Sequence, residues 1–381
     1  MTSRSVALLI ETSNEYARGL LRGIQRYQHE HQRWSIDLPE QQRGADPPRW
    51  LRDYGGDGII ARIETDAIAR AVEAAELPTV DVSAARHLPG IPWVETDDRA
   101  IATAAVEHFA ERGLSDVCFC GEVVFNWSNW RRDAFVAAAT ERGMGSHTFD
   151  VDDQSAGRTW STERRRLMAW LQQLPTPCGL LAAYDSLARR IIQLCGPANR
   201  PVPESIAVLG VDDDPLLCQL ATPPISSVIP DAEGAGYVAA EELDAMMSGK
   251  QVPATGRLLK PLGIATRQST DIIAVADREV ETAARFILAH ATESISVAEV
   301  VAETSLTRRV LESRFKRALG KTPHQMIVAT RLACAQRLLR ETKLPLEQVA
   351  HRSGIEYAEY LSKLFRKHFQ MTPGQYRAMR S

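Results

Sequence analysis

SRFKRALGKTP, residues 313–323, returns fifty residues later as KLFRKHFQMTP, residues 363–373. Each copy sets a phenylalanine among basic residues and stops at Thr-Pro. Upstream of the first copy, Ser296 and Glu299 make an S-x-x-E pattern whose side chains satisfy the free amides of a helix start. Val300, Val301 and Thr304 follow on one face, a turn passes through Ser305 and Leu306, and Thr307 is placed to cap a second helix. There Leu311 and Phe315, four residues apart, share the core side and leave Arg308, Arg309, Glu312 and Ser313 outward. The second copy repeats this plan. Val349 and Ala350 face inward, Gly354 stands at the turn where a positive φ is needed, and Leu361 and Phe365 face inward. Its outward face carries Ala358, Glu359, Ser362 and Lys363. In Thr322-Pro323 and Thr372-Pro373, Thr caps and Pro occupies the first turn of the next helix. Two helix-turn-helix units in an all-α domain spanning residues 276–381 are expected.

Charge agrees with that division. The chain of 381 residues has a net charge of only −3, yet basic residues outnumber acidic ones after Val275 and the reverse holds before it. Such asymmetry is expected when one module meets a polyanion and the rest does not. The length suits two or three domains. VALLI, residues 6–10, is far too short for a signal sequence or a membrane span, and no later run approaches eighteen apolar residues. A cytoplasmic protein with no membrane partner is expected. Six cysteines without a CxxC pair read as buried structural thiols, so neither a metal site nor a cofactor is expected.

Before residue 270, short apolar runs alternate with amphipathic stretches. VALLIE, GIIAR, PTVDVS, DVCFCGE, CGLLAAYD and IAVLGVDD read as strands, several apolar on both faces, as a covered parallel sheet requires. Residues 16–30, 65–75, 99–112, 130–142, 160–174, 185–195 and 231–248 read as helices between them. The pattern is a βαβ series forming two α/β lobes of about 100 to 120 residues each with a cleft between, over residues 1–272. No flexible linker separates it from the helical part.

Open parallel sheets bind ligands beyond the carboxyl ends of their strands. The candidates there are Glu11, Thr12, Ser13 and Asn14, then Arg62, Arg131, Tyr184 with Asp185, and Asp212 with Asp213. Carboxylates and guanidinium forks suit the paired hydroxyls of a neutral sugar, and Trp93, Trp127 or Trp130 is available to stack on its apolar face. GAGYVA, residues 234–239, fits G-x-G-x-x-A. It sits in the last βα unit rather than the first and is read as a decoy. No nucleophile, base and orienter spacing supports catalysis. A sugar-acting α/β enzyme with a regulatory DNA-binding tail is the alternative, and a transport-type binding protein fails on the missing secretion signal and the basic tail.

The doubled helical pattern resembles the DNA-binding domain of the AraC family of transcription regulators, with MIVATRLACAQRLLRET as the linking helix. The resemblance implies that both recognition helices enter successive major-groove segments of double-stranded DNA, about 34 Å apart. It makes Arg309, Glu312 and Ser313, and Glu359, Ser362 and Lys363, base-edge candidates, flanked by Arg308 and Ala358. Arg317, Lys321, Arg366, Lys367 and His368 become phosphate candidates. Ser305 departs from the family's glycine, so the first turn is expected to be tighter or shifted.

LGVDDDP followed by PPISSV, with WRRDAF and LAAYD upstream, resembles the periplasmic-binding-protein-like ligand domain of LacI-type repressors. That domain ahead of an AraC-type tail is similar to the regulators of xylose operons over nearly the whole chain. This implies a sugar-responsive transcription regulator, an activator of a sugar-catabolism operon, rather than an enzyme. It implies xylose or a related pentose as effector, a homodimer, and RNA polymerase as a further partner. Asp212 and Arg131 match the family's sugar-gripping Asp and Arg, and Tyr184 with Asp185 match its strand-end site. Pro230 replaces a polar amide, which removes one hydrogen-bonding side chain.

Overall fold

Runs apolar on both faces become strands buried on both sides. The computed structural model describes residues 4–31, 33–40, 45–152, 160–275, 277–293 and 295–378. Residue 276, at which the helical domain is expected to start, lies outside them. The first lobe opens with β1 (Ser5–Leu9), α1 (Glu15–Glu30), β2 (Ser35–Asp37), β3 (Gly58–Ala61), α2 (Asp66–Glu73), β4 (Thr79–Asp81) and β5 (Trp93–Thr96). The chain then crosses into a second lobe. This holds α3 (Asp98–Ala110), β6 (Asp116–Glu122), α4 (Asn126–Glu141), β7 (Gly145–Val151), α5 (Trp160–Gln173) and β8 (Cys178–Ala182). It continues with α6 (Asp185–Cys195), β9 (Ile206–Val211), α7 (Pro215–Leu220) and β10 (Ser226–Ile229). The chain returns to the first lobe for α8 (Ala232–Met247) and β11 (Gly256–Leu259), then crosses a third time into β12 (Gly263–Ala265).

One sheet runs β11-β5-β4-β3-β1-β2 and the other β12-β10-β9-β8-β6-β7. The expectation of two consecutive lobes is corrected, because α8 and β11 complete the first sheet from residues far along the chain. The parallel reading is also corrected at one edge, where β12 pairs antiparallel to β10. Only three residues separate β11 from β12, so the chain enters the second sheet from its carboxyl edge and runs against its neighbour β10.

The second glycine of the G-x-G-x-x-A stretch is explained by packing. Helix α8 lies so close on α1 that a Cβ on Gly236 would sit 2.0 Å from the Leu20 carbonyl oxygen. Ala235, Ala239, Ala240 and Leu243 of α8 complete one core with Leu20 and Ile24 of α1 and Val6, Leu8 and Ile60 of the sheet. Phe109, Phe119 and Phe135 anchor the core of the second lobe.

Two smaller cores carry the helical part. The first joins α9 (Arg278–His290), α10 (Val297–Ala302) and α11 (Arg308–Leu319) around Ile287, Val300, Leu311 and Phe315. Helix α12 (Pro323–Glu341) leads to the second, made with α13 (Leu346–Arg352), α14 (Ala358–Phe369) and α15 (Pro373–Ala378) around Val349, Leu361, Phe365 and Tyr376. The Ser296–Glu299 capping box forms as read, whereas Thr307 stands at its N-cap without a side-chain hydrogen bond. Thr322 caps α12 with Gln325, and Thr372 accepts from the Gln375 amide at 3.2 Å. The linker is held, not loose: Arg112 Nε donates to Thr270 O at 2.7 Å and Ala274 N to Arg112 O at 2.7 Å.

Candidate functional site

The carboxyl ends of both sheets face one small cavity. The first lobe supplies Tyr16, Arg62, Val82, Glu95 and Thr96, and the second supplies Trp127, Arg131, Ala183, Tyr184 and Asp212. Of the ten strand-end candidates, Arg62, Arg131, Tyr184 and Asp212 line it. Arg62 follows β3 and is buried, with its two terminal nitrogens donating to Glu11 and Glu64. Its Nε is buried with no acceptor among the described residues. Arg131, on the first turns of α4, grips Asp98 at 2.7 Å and donates to the Ala183 carbonyl. Tyr184 donates its hydroxyl to Glu122, and Trp127 packs edge-on to it at 6.1 Å between centroids.

Glu11, Asn14, Ser13 and Asp185 stand behind or beside the cavity. Glu11 orients Arg62 and accepts from Asn14 Nδ2 at 2.9 Å. Asn14 is spent as the N-cap of α1, its Oδ1 accepting from Ala17 N, and Ser13 is exposed outside the cavity. Asp185 is fully buried and accepts from Ser227 Oγ at 2.7 Å and Asp214 N at 2.7 Å. It braces the strand ends and does not line the cavity. Burial, with Asp212 next, holds its carboxyl well above the ordinary carboxylate range. Of the tryptophans, Trp127 alone lines the cavity: Trp93 takes the Arg86 guanidinium over its ring at 3.4 Å, and Trp130 is exposed.

Three polar lining residues escaped the sequence reading. Tyr16 belongs to an amphipathic helix whose period assigns it to the core, yet its buried hydroxyl faces Thr96 and burial raises its pKa. Glu95 and Thr96 lie on β5, too short and polar to be read as a strand. Burial, and then Asp98, pushes the Glu95 carboxyl up to about 8, against the pull of Arg86 at 2.9 Å. The cavity thus sets forked donors and carboxylates around a half-apolar space with aromatic faces, a chemistry suited to a small polyhydroxylated molecule. Among the described residues no cluster of His, Cys, Asp or Glu could hold a metal ion, and no helix is long and apolar enough to cross a membrane.

The helical part presents two outward rows. Arg308, Arg309 and Ser313 are exposed on α11 with Glu312 half-buried, and Arg308 Nε lies 2.9 Å from Glu312. On α14, Glu359 and Lys363 are exposed while Ala358 and Ser362 are half-buried. Tyr357 and Tyr360 stand exposed on the same side, 59% and 47%, a feature the reading missed although two aromatics at i and i+3 in EYAEYL signal it. Arg317, Arg366, Lys367 and His368 are exposed near helix ends. Lys321 is corrected: its side chain is 15% exposed and pairs with Glu111 of the second lobe at 2.7 Å, so its charge is engaged within the protein. Gly354 adopts φ 74° as its turn requires. Ser305 has no left-handed backbone, and its N and Oγ both donate to the Glu279 carboxylate at 2.8 and 2.9 Å. The first turn is therefore held differently from the second.

Family models match in three stretches: a periplasmic binding protein-like domain at residues 106–270, a helix-turn-helix domain at 300–379, and a XylR N-terminal domain at 5–99. The xylose operon regulatory protein of Escherichia coli (strain K12) is 31% identical over 99% of this chain and 97% of its own. That of Haemophilus influenzae is 30% identical over 98% and 97%. The solved structure of a xylose-binding transcription activator covers 100% of this chain and 99% of its own with a TM-score of 0.65 and 29% identity. A LacI family regulator from Enterococcus faecium shares the fold of the lobes, with a TM-score of 0.58 over 71% of this chain at 18% identity. These full-length matches are regulators, and the enzyme alternative is not favoured.

Proposed function

This chain belongs to the family of xylose operon regulatory proteins, a family of DNA-binding transcription regulators, and we propose that D-xylose or a closely related pentose is the effector held between its lobes. The observation that carries the reading is the charge balance of the cavity wall. Arg62 is matched by Glu11 and Glu64, and Arg131 by Asp98. Guanidinium groups already neutralised by buried carboxylates offer no surplus charge to a phosphate, so a neutral polyol fits better than a sugar phosphate. Arg62 Nε, Asp212 and the Trp127–Tyr184 faces then supply donor, acceptor and apolar contact.

Binding across both lobes favours the closed arrangement, since the ligand shifts the equilibrium by its differential affinity for that state. Residues 1–272 form the sensing part in this reading, and residues 276–381 the DNA-binding part. Arg309, Glu312, Ser313, Glu359, Ser362 and Lys363 read base edges, and Arg317, Arg366 and Lys367 meet phosphates. A homodimer brings two such domains to an operator, where the protein acts with RNA polymerase as an activator. Calorimetric titration of the full chain with D-xylose, D-ribose, L-arabinose, D-glucose and D-xylose 5-phosphate tests the reading. Saturable binding of D-xylose in preference to the phosphate is expected. Heats at the dilution baseline for every neutral sugar overturn it.

A further inference from the structure

The strand end that carries Asp212 also carries Asp213, and the two face different neighbours. Asp212 lines the cavity. Asp213, 2% exposed, accepts from Arg267 at 2.8 Å and pairs with Arg340 of α12 at 3.3 Å. Both aspartates occupy the left-handed region, with φ of 105° and 53°, a conformation kept only where the surroundings enforce it. The enforcement is visible: Asp212 N donates to Val228 O at 3.1 Å, Asp213 N to Ser227 Oγ at 2.9 Å and Asp214 N to Asp185 Oδ2 at 2.7 Å. A segment pinned at three successive amides moves as a unit. Displacing the Asp212 carboxylate therefore displaces that of Asp213.

Arg340 is 9% exposed and sits near the end of the helix that joins the two helix-turn-helix units. Just before the other end of that helix, about 25 Å away by helix rise, Lys321 pairs with Glu111. Helix α12 is thus fastened to the second lobe near both ends, and one fastening adjoins the cavity. When the Arg340 contact opens, Asp213 keeps its ion pair with Arg267 at 2.8 Å, so the contact is made or broken without stranding the buried carboxylate. That makes it a contact with two discrete states, which is what coupling between distant sites needs.

We propose that Asp213 is the positioning residue through which occupancy of the cleft reaches the DNA-binding domain, by way of its ion pair with Arg340. The inference rests on the sugar-effector reading above and assigns its regulation. Sugar on Asp212 shifts the Asp213–Arg340 contact and frees or reorients α12, while the Lys321–Glu111 contact acts as a passive tether.

The experiment uses the full chain and a fluorescein-labelled duplex selected from a random pool by the wild-type protein. Anisotropy gives the DNA Kd with and without D-xylose, and the ratio is the coupling. Wild type should show a ratio within the roughly 5- to 150-fold range usual for such coupling. Arg340→Gln should bring it to within about twofold of unity while D-xylose still binds by calorimetry, and Arg340→Lys should restore part of it. Lys321→Gln removes the ion pair that fastens the other end of α12 to the second lobe and should keep the wild-type ratio. Asp213→Asn should reproduce Arg340→Gln if it folds by circular dichroism, and the Arg340 variants decide the matter if it does not. A full ratio in Arg340→Gln, or equal loss in Lys321→Gln, overturns the inference and leaves the effector reading standing. A wild-type chain that binds no D-xylose removes both.

Discussion

Asp212→Asn separates affinity from stability at one atom. The residue lines the cavity at φ 105°, where most side chains are strained, and asparagine is among the residues that tolerate positive φ best. The backbone is therefore retained while the charge goes. A hydrogen bond to a charged group contributes about 1.5–3 kcal/mol against about 1 for a neutral one. Losing the charge on an acceptor that grips one or two hydroxyls should thus cost roughly 1.4–3 kcal/mol, a tenfold to hundredfold rise in the Kd for D-xylose. Stability should move the other way. Asp212 contributes, second to burial, to holding the Asp185 carboxyl above its ordinary range, so removing its charge lowers the cost of ionising Asp185 in the folded second lobe. Calorimetry with D-xylose should show weakened binding, and thermal unfolding of the sugar-free protein should show a midpoint equal to or above the wild type. Wild-type affinity within twofold, or a clear fall in the midpoint, refutes the reasoning.

The Glu95 carboxyl, pushed up to about 8 from 4.5, keeps its proton in the folded chain where the unfolded chain has lost it. Its contribution to stability is full below about 4.5 and is lost as pH rises towards 8, so Glu95→Gln, which mimics the protonated form, should flatten the decline of the unfolding midpoint over that window. Gly354→Ala should destabilise the helical part by at least about 1–2 kcal/mol from its φ of 74° alone, and its Cβ would stand 2.6 Å from the Ala291 carbonyl oxygen, so thermal or urea unfolding should show an early transition. Arg366→Ala with Lys367→Ala should weaken binding about uniformly across DNA sequences and lower the slope of log K against log salt by about 2. Lys363→Ala should instead change sequence preference, read by competition between duplexes.

The paired helical units were legible because their signals are local. A capping box spans four residues, Leu311–Phe315 and Leu361–Phe365 are one helical turn apart, and Thr-Pro is a dipeptide, so each element declares itself without its neighbours. Strand-end chemistry was nearly as legible: in a parallel sheet the residue after an apolar run has only one place to go, which put Arg62, Arg131, Tyr184 and Asp212 at the cavity. Tertiary structure alone decided the rest. That α8 and β11 belong to the first lobe depends on pairing across more than a hundred residues, which no short-range period encodes. Tyr16 and Glu95 reach the cavity because the opposite lobe closes over positions that local pattern assigns to a core and a loop. Lys321 and Arg340, two more basic residues by sequence, are taken from the DNA-facing surface by carboxylates of another domain. A charge's partner is set by what lies within a few ångströms in space, and the chain order of a residue does not specify it.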